Sequence, residues 1–190
     1  MLTADQVASQ FLRRADQRGL SLTQMQLHKL CYFAQAYSLA CGGHRLFADE
    51  IRAYEHGPYV ESLKSRFAAY GSGAISSHDA GKAARTSETE QAILDWVFRD
   101  YGALTASELR ELSHRDRPWR AACASGSDRA LITDESMAQF YRERLLLTPN
   151  RPPPLLEREV RQRLTEDDDL LAAVARGRAD ADAGRVTQWR

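Results

Sequence analysis

The sequence predicts a mainly α-helical fold: a compact multi-helix domain with a small β-hairpin, followed by a helical C-terminal tail. Apolar residues recur at helical spacing through most of the first 146 residues. Several of these segments begin with Ser or Thr followed three positions later by Glu or Gln, which is the capping-box pattern. Short β-prone pieces occur only around residues 46–54. The length of 190 residues suits one domain with a short appendage.

Two helices are predicted first. Thr3 with Gln6 forms a capping box for the first helix. The second helix starts near residues 21–23, runs to about Ala40 and ends at the two glycines that follow. Its apolar residues cover more than half of its circumference, which predicts a central helix with neighbours on several sides.

A small hairpin and a loop are predicted next. Residues 46–47 and 51–54 are expected to pair, and such a two-stranded sheet needs helices packed against it. Pro58 is placed to open the following helix at its first position, and Gly71 ends that helix. Residues 71–86 are rich in Gly, Ser and Ala, which predicts a mobile loop.

Four further helix starts follow. Ser87 and Thr105 each begin a helix with a capping box. Asp116 is expected to cap a short helix that contains Pro and Trp. Either Thr133 or Asp134 caps the last helix of the main body.

The sequence divides into three parts. Residues 1–146 form the predicted helical domain. Residues 147–154 contain four prolines and are expected to act as a semi-rigid spacer. Residues 155–190 form an amphipathic tail, in which residues 179–190 have few large apolar groups. The tail must therefore dock on the body, dock on a partner or stay partly disordered. We expect it to be ordered by a partner.

Composition limits the function. Lys plus Arg and Asp plus Glu are both 26, and this zero net charge argues against binding a phosphate backbone. The absence of a long apolar run predicts no membrane span, and no signal peptide is visible. Three cysteines are an odd, sparse set that suits reduced thiols. We therefore predict a cytoplasmic protein.

Enzyme and metal-site motifs are missing from the sequence. It has no phosphate-binding glycine loop, no dinucleotide fingerprint and no His-Glu-x-x-His. The pairs His28 with Cys31 and Cys41 with His44 lack the spacing of a closed zinc site. We predict no catalytic residue, no metal ligand and no cofactor.

Aromatic residues on the second helix allow two interpretations. Tyr32, Phe33 and Tyr37 could form an interface, but such residues more often pack in the core. We favour the core for these three residues and for Trp119.

The most distinctive short motif is His56-Gly57-Pro58-Tyr59. One interpretation is a tight turn between a strand and a helix, in which Gly supplies free dihedral angles and Pro fixes the helix start. The other is a recognition corner, with close backbone approach at Gly57, a titratable donor at His56 and an amphipathic anchor at Tyr59. Both interpretations can hold at once.

Several of these motifs occur together in one known family. The runs are LHKLCYFAQAY at residues 27–37, LF at 46–47 and AYEHGP at 53–58. In sequence and spacing they resemble the Panacea domain, the antitoxin domain of SocA-like and phage-associated GepA-like proteins. The resemblance covers about residues 3–145. Tyr59 departs from it, because the family often has Val there.

The resemblance implies a mainly helical fold with little β structure. It also implies a toxin-neutralising role in a bacterial or phage two-gene module, with a cognate toxin protein as partner. One branch of the family hands its toxin to a cytoplasmic protease, which would then be a second partner.

Our leading hypothesis is an antitoxin that covers the active surface of its toxin. The predicted partner-binding residues are His56, Gly57, Pro58 and Tyr59 in the turn and Leu170, Leu171, Val174 and Val186 in the tail. The alternatives are a proteolytic adaptor for the toxin and a DNA-binding regulator that uses Arg13, Arg14 and Arg18. A homodimer is left open.

Overall fold

Helices surround one central helix in the computed structural model, which describes residues 1–81 and 84–147. The α-helices are α1 (Ala4–Gln17), α2 (Gln24–Gly42), α3 (Leu63–Phe67), α4 (Glu88–Tyr101), α5 (Ala106–Arg115), α6 (Arg117–Ala124) and α7 (Asp134–Leu147). The strands are β1 (Leu22–Thr23), β2 (Ile51–Tyr54), β3 (Gly57–Val60) and β4 (Ala74–Ile75). Two 3-10 turns occupy Ala68–Tyr70 and Ser77–Ala80. The predicted helical body with a small hairpin is confirmed.

Helix α2 is the centre of the domain. Every residue from Leu27 to Gly42 is buried, and α1, α4, α5, α7 and β3 all pack against this helix. Thr23 begins it with a capping box that includes Gln26, and Gly43 ends it in the left-handed conformation at φ 66°. The central position predicted from its broad apolar surface is confirmed.

The capping boxes predicted at Thr3, Ser87 and Thr105 are all present, and they begin α1, α4 and α5. Helices α1 and α4 pack beside each other, with the rings of Phe11 and Phe98 stacked at 6.2 Å between centroids. The local capping signals therefore locate these helix starts correctly.

The hairpin uses different partners from those predicted. Strand β2 pairs antiparallel with β3, whereas Leu46 and Phe47 do not pair with β2. The Gln35 side chain instead accepts hydrogen bonds from the backbone nitrogens of both residues, at 2.9 and 3.1 Å. Phe47 also forms a single parallel bridge with Leu2. Because a buried side chain satisfies this backbone, the segment needs no strand partner.

Pro58 lies in β3, so the prediction that it opens a helix is wrong. It sits opposite Ala53, whose N–H donates to the Ala130 carbonyl at 2.8 Å rather than to β3. A proline at this position removes no hydrogen bond that β2 needs. The following helix, α3, begins only at Leu63 and ends at Phe67. The 3-10 turn after it ends at Tyr70, and Gly71 is the residue that caps this turn.

The segment predicted as a mobile loop contains regular structure between residues 74 and 80. Strand β4 pairs with β1, with Leu22 opposite Ile75, and the 3-10 turn after it packs against α1. Gln24 also donates to the Gly71 carbonyl at 2.6 Å. Long-range pairing with β1 supplies order that the local composition does not indicate.

Asp116 is the N-cap residue of α6, as predicted, but its side chain makes no capping hydrogen bond. Its carboxylate instead accepts a hydrogen bond from the Tyr141 hydroxyl at 2.5 Å. At α7 the capping residue is Thr133, whose hydroxyl oxygen accepts from the Ser136 N–H at 3.2 Å. This contact decides between Thr133 and Asp134, the two candidates that the sequence offered.

The predicted spacer at residues 147–154 lies almost wholly outside the described residues, and the predicted tail at 155–190 lies wholly outside them. The same holds for the site residues Leu170, Leu171, Val174 and Val186. Within the part of the chain that is described, no helix is both long and apolar enough to cross a bilayer.

Candidate functional site

The turn between β2 and β3 depends on glycine. Gly57 has φ +101°, in the region that side chains rarely adopt. A Cβ there would lie 2.8 Å from Ser113 Oγ and 2.9 Å from both Cε and Nζ of Lys29. The backbone therefore approaches α2 and α5 more closely than any other residue would allow. A tight turn at Gly57 is confirmed, although it joins two strands and not a strand and a helix. The close approach is to α2 and α5 of the same chain, and the recognition role of Gly57 stays a prediction.

Lys29 anchors the turn from inside. Its side chain is only 1% exposed, and Nζ donates a hydrogen bond of 2.9 Å to the Pro58 carbonyl. Among the described residues no carboxylate pairs with this amine. Burial, and then the positive charge of Arg110, lower the pKa of Lys29 to about 7. The outer edge of β3 is thus bound by a side chain of α2 instead of by another strand.

His28 makes the second contact with this edge. Its Nδ1 accepts a hydrogen bond from the Val60 N–H at 3.2 Å, so the proton of the neutral ring is on Nε2. Burial, and then the charge of Lys29, lower the pKa of His28 to about 3, which keeps the ring neutral. The described residues supply no acceptor for Nε2. His28 therefore holds a buried donor that is left unused.

Aromatic rings cover His28 and the hairpin. The His28 and Tyr59 rings stack with their centroids 3.6 Å apart, and Tyr59 lies 4.7 Å from the Tyr54 ring. The Tyr54 hydroxyl donates to Glu61, and the Tyr54 carbonyl accepts from the Trp119 indole at 3.1 Å. Packing on both sides fixes the Tyr59 ring in one position.

A cavity of about 410 Å³ lies next to these rings. Its lining includes His28, Lys29, Tyr54, His56 and Tyr59, together with Met25 and Ala106. A volume of this size falls at the lower end of the range of small-ligand sites. The hairpin motif therefore forms one wall of a concave site.

The basic groups behind the cavity repel one another. Lys29 lowers the pKa of His28, and Arg110 lowers that of Lys29. Burial lowers the pKa of His114, and the charges of Arg110, Lys29 and His56 lower it further. The Glu61 carboxylate lies beside the cavity, where it accepts a hydrogen bond from the Tyr54 hydroxyl. The field at the cavity wall formed by His28 and Lys29 is therefore positive.

The structure brings all four predicted turn residues together but separates their roles. Gly57 and Pro58 are buried and shape the turn, whereas His56 is exposed and Tyr59 is half-buried. Sequence reasoning missed Lys29 as the residue that holds the turn. The available signal was a lysine in the middle of an otherwise apolar helix, a position where lysine is rare unless its amine has a specific partner.

A second polar group, the tyrosine cluster of Tyr32, Tyr141, Asp116 and Arg144, contacts α2 one helical turn beyond His28, and its Arg144 side chain is 27% exposed. Tyr32 and Tyr141 are fully buried beside Asp116, and Arg144 Nη1 lies 3.5 Å from the Asp116 carboxylate. Tyr32, Phe33 and Tyr37 are core residues, as predicted. Trp119 is partly buried against the core, where its ring stacks on His114 at 3.9 Å.

Metal ligands do not converge in the described chain, where no group of three or more His, Cys, Asp or Glu could hold an ion. Comparison with family models matches residues 27–120 to the family described as antitoxin SocA-like, Panacea domain. No curated protein and no solved structure matched the chain. The matched residues run from α2 into α6 and contain the turn, Lys29 and all the residues named above in the cavity lining except Met25. Residues 27–120 are thus a domain of the SocA-like Panacea antitoxin family.

Proposed function

We propose that this chain is an antitoxin that neutralises a cognate toxin by binding it directly, without transforming a substrate itself. The observation that carries the proposal is the match of residues 27–120 to an antitoxin domain. An antitoxin family implies a toxin as partner. The matched residues include the turn and most of the cavity wall, so the partner surface is proposed there.

The exposed side of the turn suits protein recognition. His56 is exposed, and the half-buried Tyr59 ring is already held between His28 and Tyr54. A preordered aromatic ring loses little conformational entropy on binding and is a typical interface anchor. We assign the direct contacts to His56 and Tyr59, and we assign the positioning of the turn to Gly57 and Pro58.

The second proposed contact is in the C-terminal tail. Its predicted residues are Leu170, Leu171, Val174 and Val186. Apolar side chains added to the partner surface increase the area removed from water and lengthen the lifetime of a complex. We propose that these residues and the turn together cover the active surface of the toxin.

Co-expression tests this function. The full chain is produced with the protein encoded by the adjacent open reading frame, and growth and co-purification are measured. We expect the neighbour alone to arrest growth, and the pair to grow and to purify as a complex. A harmless neighbour, or toxicity relieved without any complex, would contradict the proposal.

The lifetime of the toxin tests the mechanism. Direct occlusion predicts that the half-life of the toxin, measured after translation is stopped, is the same with and without the antitoxin. A toxin half-life shortened by this chain would contradict occlusion and would support delivery to a protease instead.

The tail contacts need their own variant. Leu171→Asp with Val174→Asp in the full chain places two charges in the proposed interface, so we expect weaker co-purification and an unchanged melting temperature. Wild-type affinity in this double variant would remove the tail from the proposed surface.

A further inference from the structure

The cavity beside the hairpin contains two buried donors that are not fully used. His28 Nε2–H has no acceptor among the described residues, and the Lys29 amine makes one hydrogen bond, to the Pro58 carbonyl. Both side chains line the cavity, and both are 1% exposed. A buried donor without an acceptor costs stability, so such groups in a cavity indicate a missing acceptor.

The charge around these donors also lacks a counterpart. The neighbouring charges that lower the pKa values of His28 and Lys29 are both positive: Lys29 acts on His28, and Arg110 acts on Lys29. Glu61 is bound to the Tyr54 hydroxyl and makes no ion pair with Lys29. An anion placed at His28 and Lys29 would therefore meet a positive field, and the Glu61 carboxylate on the Tyr54 side of the cavity is already hydrogen-bonded.

The rest of the wall is mostly apolar and aromatic, and its polar residues are Thr23, Gln24, His56 and Ser72. The rings of Tyr54 and Tyr59 and the side chains of Met25 and Ala106 line the cavity. A simple inorganic anion would leave most of this surface unfilled within about 410 Å³. The shape therefore favours an anion joined to an apolar stem.

We propose that this cavity binds an organic carboxylate whose two oxygens accept hydrogen bonds from His28 Nε2 and Lys29 Nζ, while its apolar stem lies against Tyr54 and Tyr59. A carboxylate accepts from both donors and neutralises the charge of the protonated Lys29 side chain, which a neutral carbonyl would not do. The inference does not depend on the toxin, because the ligand is tested on the antitoxin alone.

A matched pair of probes tests the proposal on the full chain. Binding of 3-phenylpropionate and of 3-phenylpropanamide is measured by calorimetry and by ligand-observed NMR. The two differ in the carboxylate, so we expect the acid to bind at least about tenfold more tightly than the amide. Acetate, which lacks the apolar stem, is expected to bind more weakly than 3-phenylpropionate. Equal binding of acid and amide, or no binding of either, would overturn the proposal.

Two substitutions locate the site. Ala106→Trp fills the cavity from α5 without altering either donor, and we expect it to abolish binding of 3-phenylpropionate. Ala121→Trp, at an exposed position of α6 outside the cavity lining, is the control and should bind as wild type does. Lys29→Met removes the charge and should reduce binding at least about tenfold in protein that remains folded. Full binding by Ala106→Trp would show that the probe sits elsewhere, against the proposal.

A chain terminus offers the same chemistry as a small molecule. A pentapeptide that ends in phenylalanine, with a free or an amidated carboxyl group, forms the second arm of the experiment. Tighter binding of the free peptide than of 3-phenylpropionate assigns the ligand to a polypeptide terminus, and weaker or equal binding assigns it to a small acid. Either result supports the carboxylate site, whereas loss of the toxin complex affects only the proposed function.

Discussion

Two groups of buried polar side chains contact α2, and they differ in how their hydrogen-bonding groups and charges are satisfied. At the tyrosine cluster, Tyr141 donates to Asp116 and Arg144 lies beside the same carboxylate, so acid, base and hydroxyl occur together. At the hairpin edge, the hydrogen bonds of His28 and Lys29 go only to backbone groups of β3, and no acid pairs with the amine among the described residues.

The difference separates a structural role from a binding role. A cluster in which a buried carboxylate has both a hydroxyl donor and a cationic partner within the protein supports the fold. A buried amine and a buried N–H donor that line a cavity have capacity for something outside the protein. Both groups are equally deep, since Lys29, His28 and Asp116 are each 1% exposed. Burial alone therefore does not distinguish them, whereas their partners do.

The largest expected effect is on the tyrosine cluster. Asp116→Ala leaves the Tyr141 hydroxyl and Arg144 without their carboxylate, so we expect a loss of about 3 kcal/mol in the free energy of unfolding. Urea titration measures it. Asp128→Ala, at a surface carboxylate that is 91% exposed, is the control and should change stability by less than about 0.5 kcal/mol. An unchanged free energy of unfolding in Asp116→Ala would contradict the structural role of the tyrosine cluster.

The next effect concerns the turn. Gly57→Ala combines an unfavourable φ of +101° with a Cβ that clashes with Ser113 and Lys29, so we expect a loss of about 2–3 kcal/mol. Gly126→Ala is the matched control, because its φ is +76° but its Cβ would meet nothing within 4 Å. It should cost only about 1 kcal/mol. Equal losses in the two variants would show that the close approach to Lys29 contributes nothing.

The sequence predicts the helical part of this comparison well, because its signals are local. Capping boxes at Thr3, Ser87 and Thr105 and the apolar surface of α2 depend on residues within one or two turns. The prediction that residues 46–47 pair with β2 is wrong, because the side chain of Gln35 on α2 accepts the hydrogen bond of the Leu46 N–H and supports that segment. Long-range contacts of this kind leave no periodic pattern to detect.

The candidate site follows the same division. The motif from His56 to Tyr59 is recognisable because Gly permits a positive φ and Pro fixes its own φ, and both effects are local. Its partners could not be deduced, because Lys29 and Ser113 reach Gly57 from two separate helices. Asp116 shows the limit of local patterns: it is the N-cap residue that the pattern predicts, but its carboxylate accepts from the distant Tyr141 hydroxyl and not from the helix backbone.

The two sites should respond to pH with opposite signs. Burial lowers the pKa of His28 from 6.5 to about 3, so the unfolded chain binds the proton more strongly and stability is lost as pH falls below 6.5. Burial raises the pKa of Asp116 from 3.8 to about 6, so its contribution is present at low pH and is lost as pH rises through 6. Each slope reaches at most about 1.4 kcal/mol per pH unit.

Single variants separate these two slopes. Urea titration between pH 4 and pH 6.5 is the measurement, and the two titrations oppose each other in wild type. His28→Gln should leave stability falling with rising pH, and Asp116→Asn should leave it rising. If both variants keep the wild-type dependence of stability on pH, neither the lowered pKa of His28 nor the raised pKa of Asp116 contributes to stability.

The smallest effect is expected at the exposed tip of the turn. His56→Ala should change the free energy of unfolding by less than about 0.5 kcal/mol, because the side chain is exposed. If the turn contacts the toxin, the same variant should weaken the complex by about fivefold, equivalent to about 1 kcal/mol, as measured by calorimetry with purified toxin. His78→Ala, an exposed histidine on the 3-10 turn that packs against α1, is the matched control and should bind the toxin normally. Because neither histidine supports the core, a loss of affinity at His56 alone would assign binding to the hairpin side of the domain. Equal affinity in both variants would leave the turn with only its structural role.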